Sequence, residues 1–299
     1  MSDLAFFDIE SLPHVKDEAW KYTNVRSSIP RGLLSQDIRD VNIHVKKGDE
    51  LKRELKFEGL DGFEQKIALN IIVEENAHLE LNETYTGQGT YFNNVTTNIK
   101  LHKNATFKHS RKQFESIDAL HINNNYIQQD KSSSYSNLLI NMGAKMSRAT
   151  TQNMLIGERA ECMLYGLNLL EGKQHADVTI CVEHHVPNCR SEQFYRSALK
   201  DWSVGVFQSK THVHEQAQKT DARQMSNALL LSPTATMNTK PELEIYADDV
   251  ECAHGATTGQ LNDEQLFYLR SRGIPEEVAK DLLIEAFIKE VTDKWSGDV

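Results

Sequence analysis

The stretch IALNIIV (Ile67 to Val73) places Ile67, Leu69, Ile71 and Val73 on alternate positions, with Ala68, Asn70 and Ile72 between them. Residues two apart share one face of a strand, so this stretch reads as a strand with an apolar inward face. Leu79 and Leu81 alternate with Glu80 and Asn82. Val95, Thr97, Ile99 and Leu101 repeat the pattern, as do Val178 and Ile180. Such strands are short, and Asn, Gly, Ser or Lys lies between many of them. From about Ser35 to Ala247 few stretches are long and periodic enough for a helix.

A repeat runs through the same region. Alanine followed two residues later by a core-type residue recurs at Ala77, Ala105, Ala144, Ala160 and Ala176, the last three spaced 16 apart. Polar or turn-prone residues precede each alanine. A coil that bends at a fixed corner, with a small residue at the bend, produces this pattern. Stacked coils then bury each other's apolar faces. The pattern predicts a parallel β-helix of roughly ten coils, about 45 Å long at ~4.8 Å per coil. A β-sandwich or jelly roll shares the alternation. Both stay open at this point; hairpin dipeptides discriminate weakly, and their scarcity, with Asp61-Gly62 the one clear case, suits a parallel coil better.

The tail has a different period. Asn262 is positioned to cap a helix from Asp263 to Arg272, with Gln265 three residues on and Gly273 at the end. Pro275 opens a second helix, in which Val278, Leu282, Ala286, Phe287 and Val291 recur near helical spacing and Trp295 extends the face. A short helical stretch is expected around Lys16 to Tyr22. The expected organisation is a short N-terminal segment (1–34), a β-helix core (35–257) and a C-terminal helical segment (258–299).

Acidic residues outnumber basic ones, 43 to 33, for a net charge of −10. This argues against a nucleic-acid binder. No run reaches the roughly 18 apolar residues of a membrane helix, and the N-terminus lacks the pattern of a secretion signal. A cytoplasmic location is expected. Cys162, Cys181, Cys189 and Cys252 include no CxxC pair, so a closed metal site built from this chain's cysteines is poorly supported. Neither Gly-x-x-x-x-Gly-Lys-Ser/Thr nor Gly-x-Gly-x-x-Gly occurs, so any ATP hydrolysis belongs to a partner.

The segment from Gln218 to Phe287 closely resembles the C-terminal half of the SufB/SufD family of iron–sulfur cluster assembly scaffolds. The motifs are AQKTDARQ (Ala217 to Gln224), NALLLS (Asn227 to Ser232), KPELEIYADDV (Lys240 to Val250), CAHGAT (Cys252 to Thr257) and QLFYLRSRGI (Gln265 to Ile274). EHHVPNCRSEQFYRSAL (Glu183 to Leu199) and LPHVKDEAWKYTNV (Leu12 to Val25) resemble family segments more loosely. Cys252-Ala253-His254-Gly255 stands where the SufB branch has a Glu-His-Glu-like sequence, and Leu269 stands where it has a cysteine. Both departures resemble the SufD branch. Family members typically carry a longer helical N-terminal part.

The resemblance implies a right-handed parallel β-helix flanked by helices. It implies a non-catalytic scaffold subunit of the SUF complex that pairs with SufB and docks the ATPase SufC through C-terminal helices, here Phe267 to Val291. It also implies support for iron acquisition and nascent cluster assembly. No cofactor is expected to stay on the isolated chain; iron or a nascent cluster would be shared transiently with SufB. A homodimer is an expected state when the chain is alone.

Cys252 and His254 are two apart and share a strand face, and thiolate and imidazole both ligate iron. The resemblance places His254 at the cluster-building interface. Cys252 also reads as a small core residue. Asp248 and Asp249 read as ligand-orienting groups or as a solvated turn, and Glu251 points to the opposite face. Cys181, His184, His185 and Cys189 form a second group that matches no standard metal motif, and His212 and His214 read as surface or corner residues. In the tail, Tyr268, Arg270 and Arg272 suit an interface. Two other functions fit a β-helix: a homodimeric binding protein without a cluster role, and a carbohydrate-active enzyme. The second needs converging carboxylates in a groove, and the strand region shows no acidic ladder.

Overall fold

The computed structural model describes residues 6–8, 13 and 15–297; Leu12 and His14 of the N-terminal motif lie outside them. Among the described residues there are seventeen strands: β1 (Leu34–Ser35), β2 (Arg39–Val45), β3 (Glu50–Gly59), β4 (Phe63–Val73), β5 (His78–Gly87), β6 (Phe92–Leu101), β7 (Thr106–Phe114), β8 (Leu120–Gln129), β9 (Ser134–Asn141), β10 (Met146–Leu155), β11 (Glu161–Leu170), β12 (His175–His184), β13 (Arg190–Leu199), β14 (Val204–Val213), β15 (Asp221–Leu230), β16 (Thr236–Ile245) and β17 (Glu251–Gly259). Two helices follow, α1 (Asp263–Ser271) and α2 (Glu276–Thr292). No helix among the described residues is long and apolar enough to cross a membrane.

The even-numbered strands, with β1, form one sheet (sheet A). The odd-numbered strands from β3 to β17 form the second (sheet B). Every strand pair is parallel, and successive strands alternate between the sheets. The chain is thus a parallel β-helix of about eight coils, since sheet B holds eight strands. The expected ten coils become eight because each coil takes more chain than the alanine spacing suggested. Asn104 lies 28 residues after Asn76, directly above it, and its amide donates to the Asn76 side-chain carbonyl at 2.8 Å.

One corner repeats in nearly every coil. Gly48, Asn76, Asn104, Ser132, Arg159, Asn188 and Lys219 adopt positive φ, a region in which short polar residues are tolerated best after glycine. Each of the last six is followed by a small residue: Ala77, Ala105, Ser133, Ala160, Cys189 and Thr220, all buried. Backbone bonds tie one corner to the next, as in Asn76 N to Lys103 O (3.1 Å) and Asn104 N to Lys131 O (2.9 Å). Ala77, Ala105 and Ala160 are therefore true corner residues. Ala144 lies in the opposite turn and Ala176 inside β12, so the 16-residue spacing mixed two positions. Close stacking leaves no room for side chains at some bends. A Cβ on Gly157 would sit 1.9 Å from the Lys131 backbone nitrogen.

Ile67, Leu69, Ile71 and Val73 are buried, as are Leu79, Leu81, Val95, Ile99, Leu101, Val178 and Ile180, in one continuous core between the sheets. Each such side chain contributes roughly 1.5–3 kcal/mol relative to exposure. The interior is not uniformly apolar. Glu83, with no solvent exposure, accepts from His109 Nε2 (2.6 Å), Tyr85 Oη (2.7 Å) and Arg111 Nε (3.3 Å). Burial alone would raise the Glu83 carboxyl, but the charges of Arg111 and His109 outweigh it and hold it well below the usual carboxylate range.

Both outer faces are partly covered. On sheet A, Phe7, Trp20, Val25, Ile29 and Leu33 pack over Phe92, Leu120, Ile122 and Met146. The helix expected around Lys16 to Tyr22 is a single 3₁₀ turn, Glu18–Trp20, because the segment is held by sheet contacts rather than by its own turns. On sheet B, Ile288, Val291 and Trp295 of the C-terminal region pack on Leu138, Ile140, Tyr165 and Leu167. Arg196 pairs with Glu290 and lies 5.2 Å from the Phe287 ring centroid, while Lys294 pairs with Glu192 at 2.6 Å. Only part of the apolar series read along α2 faces the sheet. Val278, Leu282 and Ala286 are exposed, and Ala279 and Val291 are the buried positions.

Candidate functional site

β17 is the last strand of sheet B and pairs only with β15 among the described strands. In that ladder Cys252 stands over Ala222 and His254 over Gln224. Ala222 and Gln224 are both buried in the coil interior, so Cys252 and His254 point to the interior side of the terminal coil, over which no further described strand stacks. The two side chains differ in their surroundings. Cys252 is half-buried against Val213, Ala217, Ala247 and Val250, and this burial pushes its thiol pKa up. His254 is exposed. Beneath it, Gln224 donates to Thr211 Oγ1 (2.7 Å) and to the Glu242 carbonyl (3.2 Å), but its own Oε1 is buried without a hydrogen-bond partner. A polar acceptor thus lies open in the position below His254.

The neighbouring acids take no part. Asp249 pairs with Lys219 at 2.8 Å, and its carbonyl accepts from the Lys219 backbone in the corner ladder. Glu251 is exposed and reaches only Arg223, at 3.8 Å. Asp248 is exposed. Asp248 and Asp249 therefore form a solvated turn.

The second His/Cys group does not converge. His184 points inward and bonds Ser191 Oγ at 2.9 Å. Cys189 is a buried corner residue whose thiol donates to the Gly157 carbonyl (3.4 Å). Cys162 is in the core, its thiol pushed up to about 12 by burial. His185 turns outward to His214 on the next coil.

The helical tail leaves a second exposed region. Asn262 caps α1, accepting from Glu264 N (2.9 Å) and Gln265 N (3.0 Å). No residue of α1 is buried; Phe267 is 73% and Tyr268 57% exposed. Glu264, Gln265, Tyr268, Leu269 and Leu283 line a shallow cleft between α1 and α2. Arg272 lies 5.2 Å from the Tyr268 ring centroid, and Arg270 pairs with Glu276 (3.2 Å).

Sequence reasoning missed the groups that hold the N-terminal segment in place. Arg148 and Asp177 form a buried ion pair on sheet A, and Thr23 bonds the same carboxylate. It also missed the Glu83–His109–Arg111 cluster. The signal for that cluster was present, because His109 and Arg111 occupy alternate, inward positions of β7.

Residues 61–287 match the family described as SUF system FeS cluster assembly, SufBD core domain. The chain is 38% identical over 238 residues to an iron–sulfur cluster assembly SufBD family protein of Synechocystis, covering 76% of this chain and 52% of that protein. It is 34% identical over 204 residues to the iron–sulfur cluster assembly protein SufD of Escherichia coli, covering 68% of this chain and 48% of the relative. A chloroplastic protein of Arabidopsis thaliana, ABCI7, is 34% identical over 231 residues, with 75% of this chain and 48% of the relative covered. The chain spans about half the length of these relatives. With the β-helix and a match across most of its length, the chain belongs to the SufBD family of SUF-system iron–sulfur cluster assembly proteins.

Proposed function

We propose that this chain is a non-catalytic scaffold subunit of a SUF assembly complex, pairing with a SufB-type paralogue at its terminal coil and docking a SufC-type ATPase through α1 and the start of α2. The observation that carries the reading is the placement of Cys252 and His254 on the interior face of the terminal coil. β16 and β17 are 10 and 9 residues long, and each has one unpaired edge among the described strands. Long open edges favour addition of strands from another chain. A partner pairing there would close over Cys252 and His254 and supply the missing ligands of a shared iron or cluster site. The cluster is cargo in this reading, and two ligands from one side suit a site that must release it. His254 is the better placed ligand, because it is exposed, whereas Cys252 is engaged in packing. Four free cysteines suit a reducing, cytoplasmic setting.

The test is reconstitution without oxygen. The chain is mixed with SufB and SufC, and iron and sulfide retained by the complex are measured for the parent and for His254→Ala. The expected result is an assembled complex with reduced iron and sulfide. Unchanged cluster content removes the ligand role, and failure of the parent chain to co-elute with the two partners removes the scaffold reading.

A further inference from the structure

Glu183, near the end of β12, and His185, two residues on, share the outer face of sheet A, because His184 between them points inward. The next coil brings His214 alongside, tied to β12 by its backbone nitrogen, which donates to the His184 carbonyl at 3.0 Å. We propose that Glu183, His185 and His214 form a binding site for a divalent transition-metal ion, held by two imidazole nitrogens and one carboxylate oxygen.

Three observations carry this. One ligand atom from each residue lies within 4.8 Å of the others. His185 Nε2 and His214 Nε2 both approach the same carboxylate oxygen, Glu183 Oε2, at 3.3 and 3.6 Å. Ligand atoms around a tetrahedral ion with bonds near 2.1 Å are themselves about 3.4 Å apart, so these separations already match the edges of a coordination polyhedron. Both imidazole nitrogens are also buried, and beyond their approach to Glu183 neither makes a well-formed hydrogen bond to a described residue. Buried polar atoms normally find a partner, and a bound cation satisfies both nitrogens and the carboxylate together.

The surroundings are arranged compatibly. His185 and His214 stack with ring centroids 4.2 Å apart, a spacing unfavourable for two imidazolium ions. Burial first, and the His214 neighbour second, lower the His185 pKa, which leaves a lone pair for a metal. The nearby cation Lys210 is engaged by Glu244 at 2.7 Å, and His212 bonds the same carboxylate at 3.0 Å. Two histidines and one carboxylate are the donor set of open transition-metal sites, in which further positions go to water or another ligand. This site is on sheet A, whereas Cys252 and His254 are on sheet B, and it does not depend on the cluster role argued above.

The experiment uses the whole chain after chelator treatment, titrated with zinc and separately with cobalt. One equivalent should bind, and the cobalt complex should show ligand-field bands without a thiolate charge-transfer band. Glu183→Gln and the double variant His185→Gln/His214→Gln should weaken binding at least tenfold. Cys252→Ala/His254→Ala should retain it. Circular dichroism checks that each variant is folded. The proposal is overturned by absence of zinc binding to the parent chain, by equal affinity in the His185/His214 variant, or by loss of binding in the Cys252/His254 variant. If the site variants do not fold, the parent cobalt spectrum decides, since a thiolate charge-transfer band would place the metal on cysteine instead.

Discussion

The Arg148 guanidinium lies 3.9 Å from the centroid of the Trp20 ring, which joins the N-terminal segment to β10, the fourth strand from the end of sheet A. The same guanidinium pairs with Asp177 and donates to the Ala19 carbonyl at 2.8 Å, so one cation fixes both the segment and the adjacent strand. Asp177→Asn removes the counter-charge from a buried arginine and should cost about 3 kcal/mol. Trp20→Ala should loosen the segment and increase its cleavage by protease while β-sheet circular dichroism is retained. Urea unfolding checks the first; a loss below about 1 kcal/mol for Asp177→Asn contradicts this account.

His184 gives a pH prediction. Burial, and then the His185 neighbour, push its pKa down to about 4 from an ordinary value of 6.5. Between these values the unfolded chain holds a proton that the folded chain lacks. Unfolding free energy should therefore fall as pH drops from 6.5 towards 4 and level off below, by on the order of 3 kcal/mol for this residue. His184→Gln should show a smaller slope in that window than the parent chain. Parallel stability curves from pH 7 to 4 for the two proteins would contradict the burial argument.

Cys252 and His254 should separate by phenotype. Cys252→Ala removes a sulfur packed on Val213 and Ala247 and should lower stability by about 1 kcal/mol. His254→Ala removes an exposed side chain and should change stability by less than about 0.5 kcal/mol, while lowering cluster content in the reconstituted complex. Thermal melts beside iron and sulfide assays distinguish the two. A loss of cluster on Cys252→Ala at unchanged stability would make the cysteine a ligand as well.

The tail divides in the same way. Phe267→Ala and Tyr268→Ala alter exposed rings on α1 and should leave stability within about 0.5 kcal/mol, yet weaken SufC binding by tenfold or more, the size expected for aromatic interface anchors. Trp295→Ala empties a packed site against sheet B and should cost about 3 kcal/mol. Calorimetric titration with SufC together with urea unfolding tests both. Undiminished SufC binding by a Phe267/Tyr268 double variant would remove α1 from the docking surface.

The sequence by itself determined the strand type, the inward residues and the family. Period-two alternation in Ile67 to Val73 is a local property, and the segment from Gln218 to Phe287 carries long contiguous motifs. The Asn262 cap was legible for the same reason, since its partners are two and three residues away. Coil length was less legible, because Ala144 and Ala176 resemble corner alanines without occupying the corner. Only the tertiary structure decided which side chains meet between coils. Glu83 meets His109 and Arg111 from the next coil, Arg148 meets Trp20 across 128 positions of sequence, and Glu183 and His185 meet His214 rather than Cys181 or Cys189. In a β-helix the neighbours of a residue lie about one coil away in the chain, and small differences in coil length set which residues fall in register. That register is a sum over every intervening turn, so no local pattern contains it.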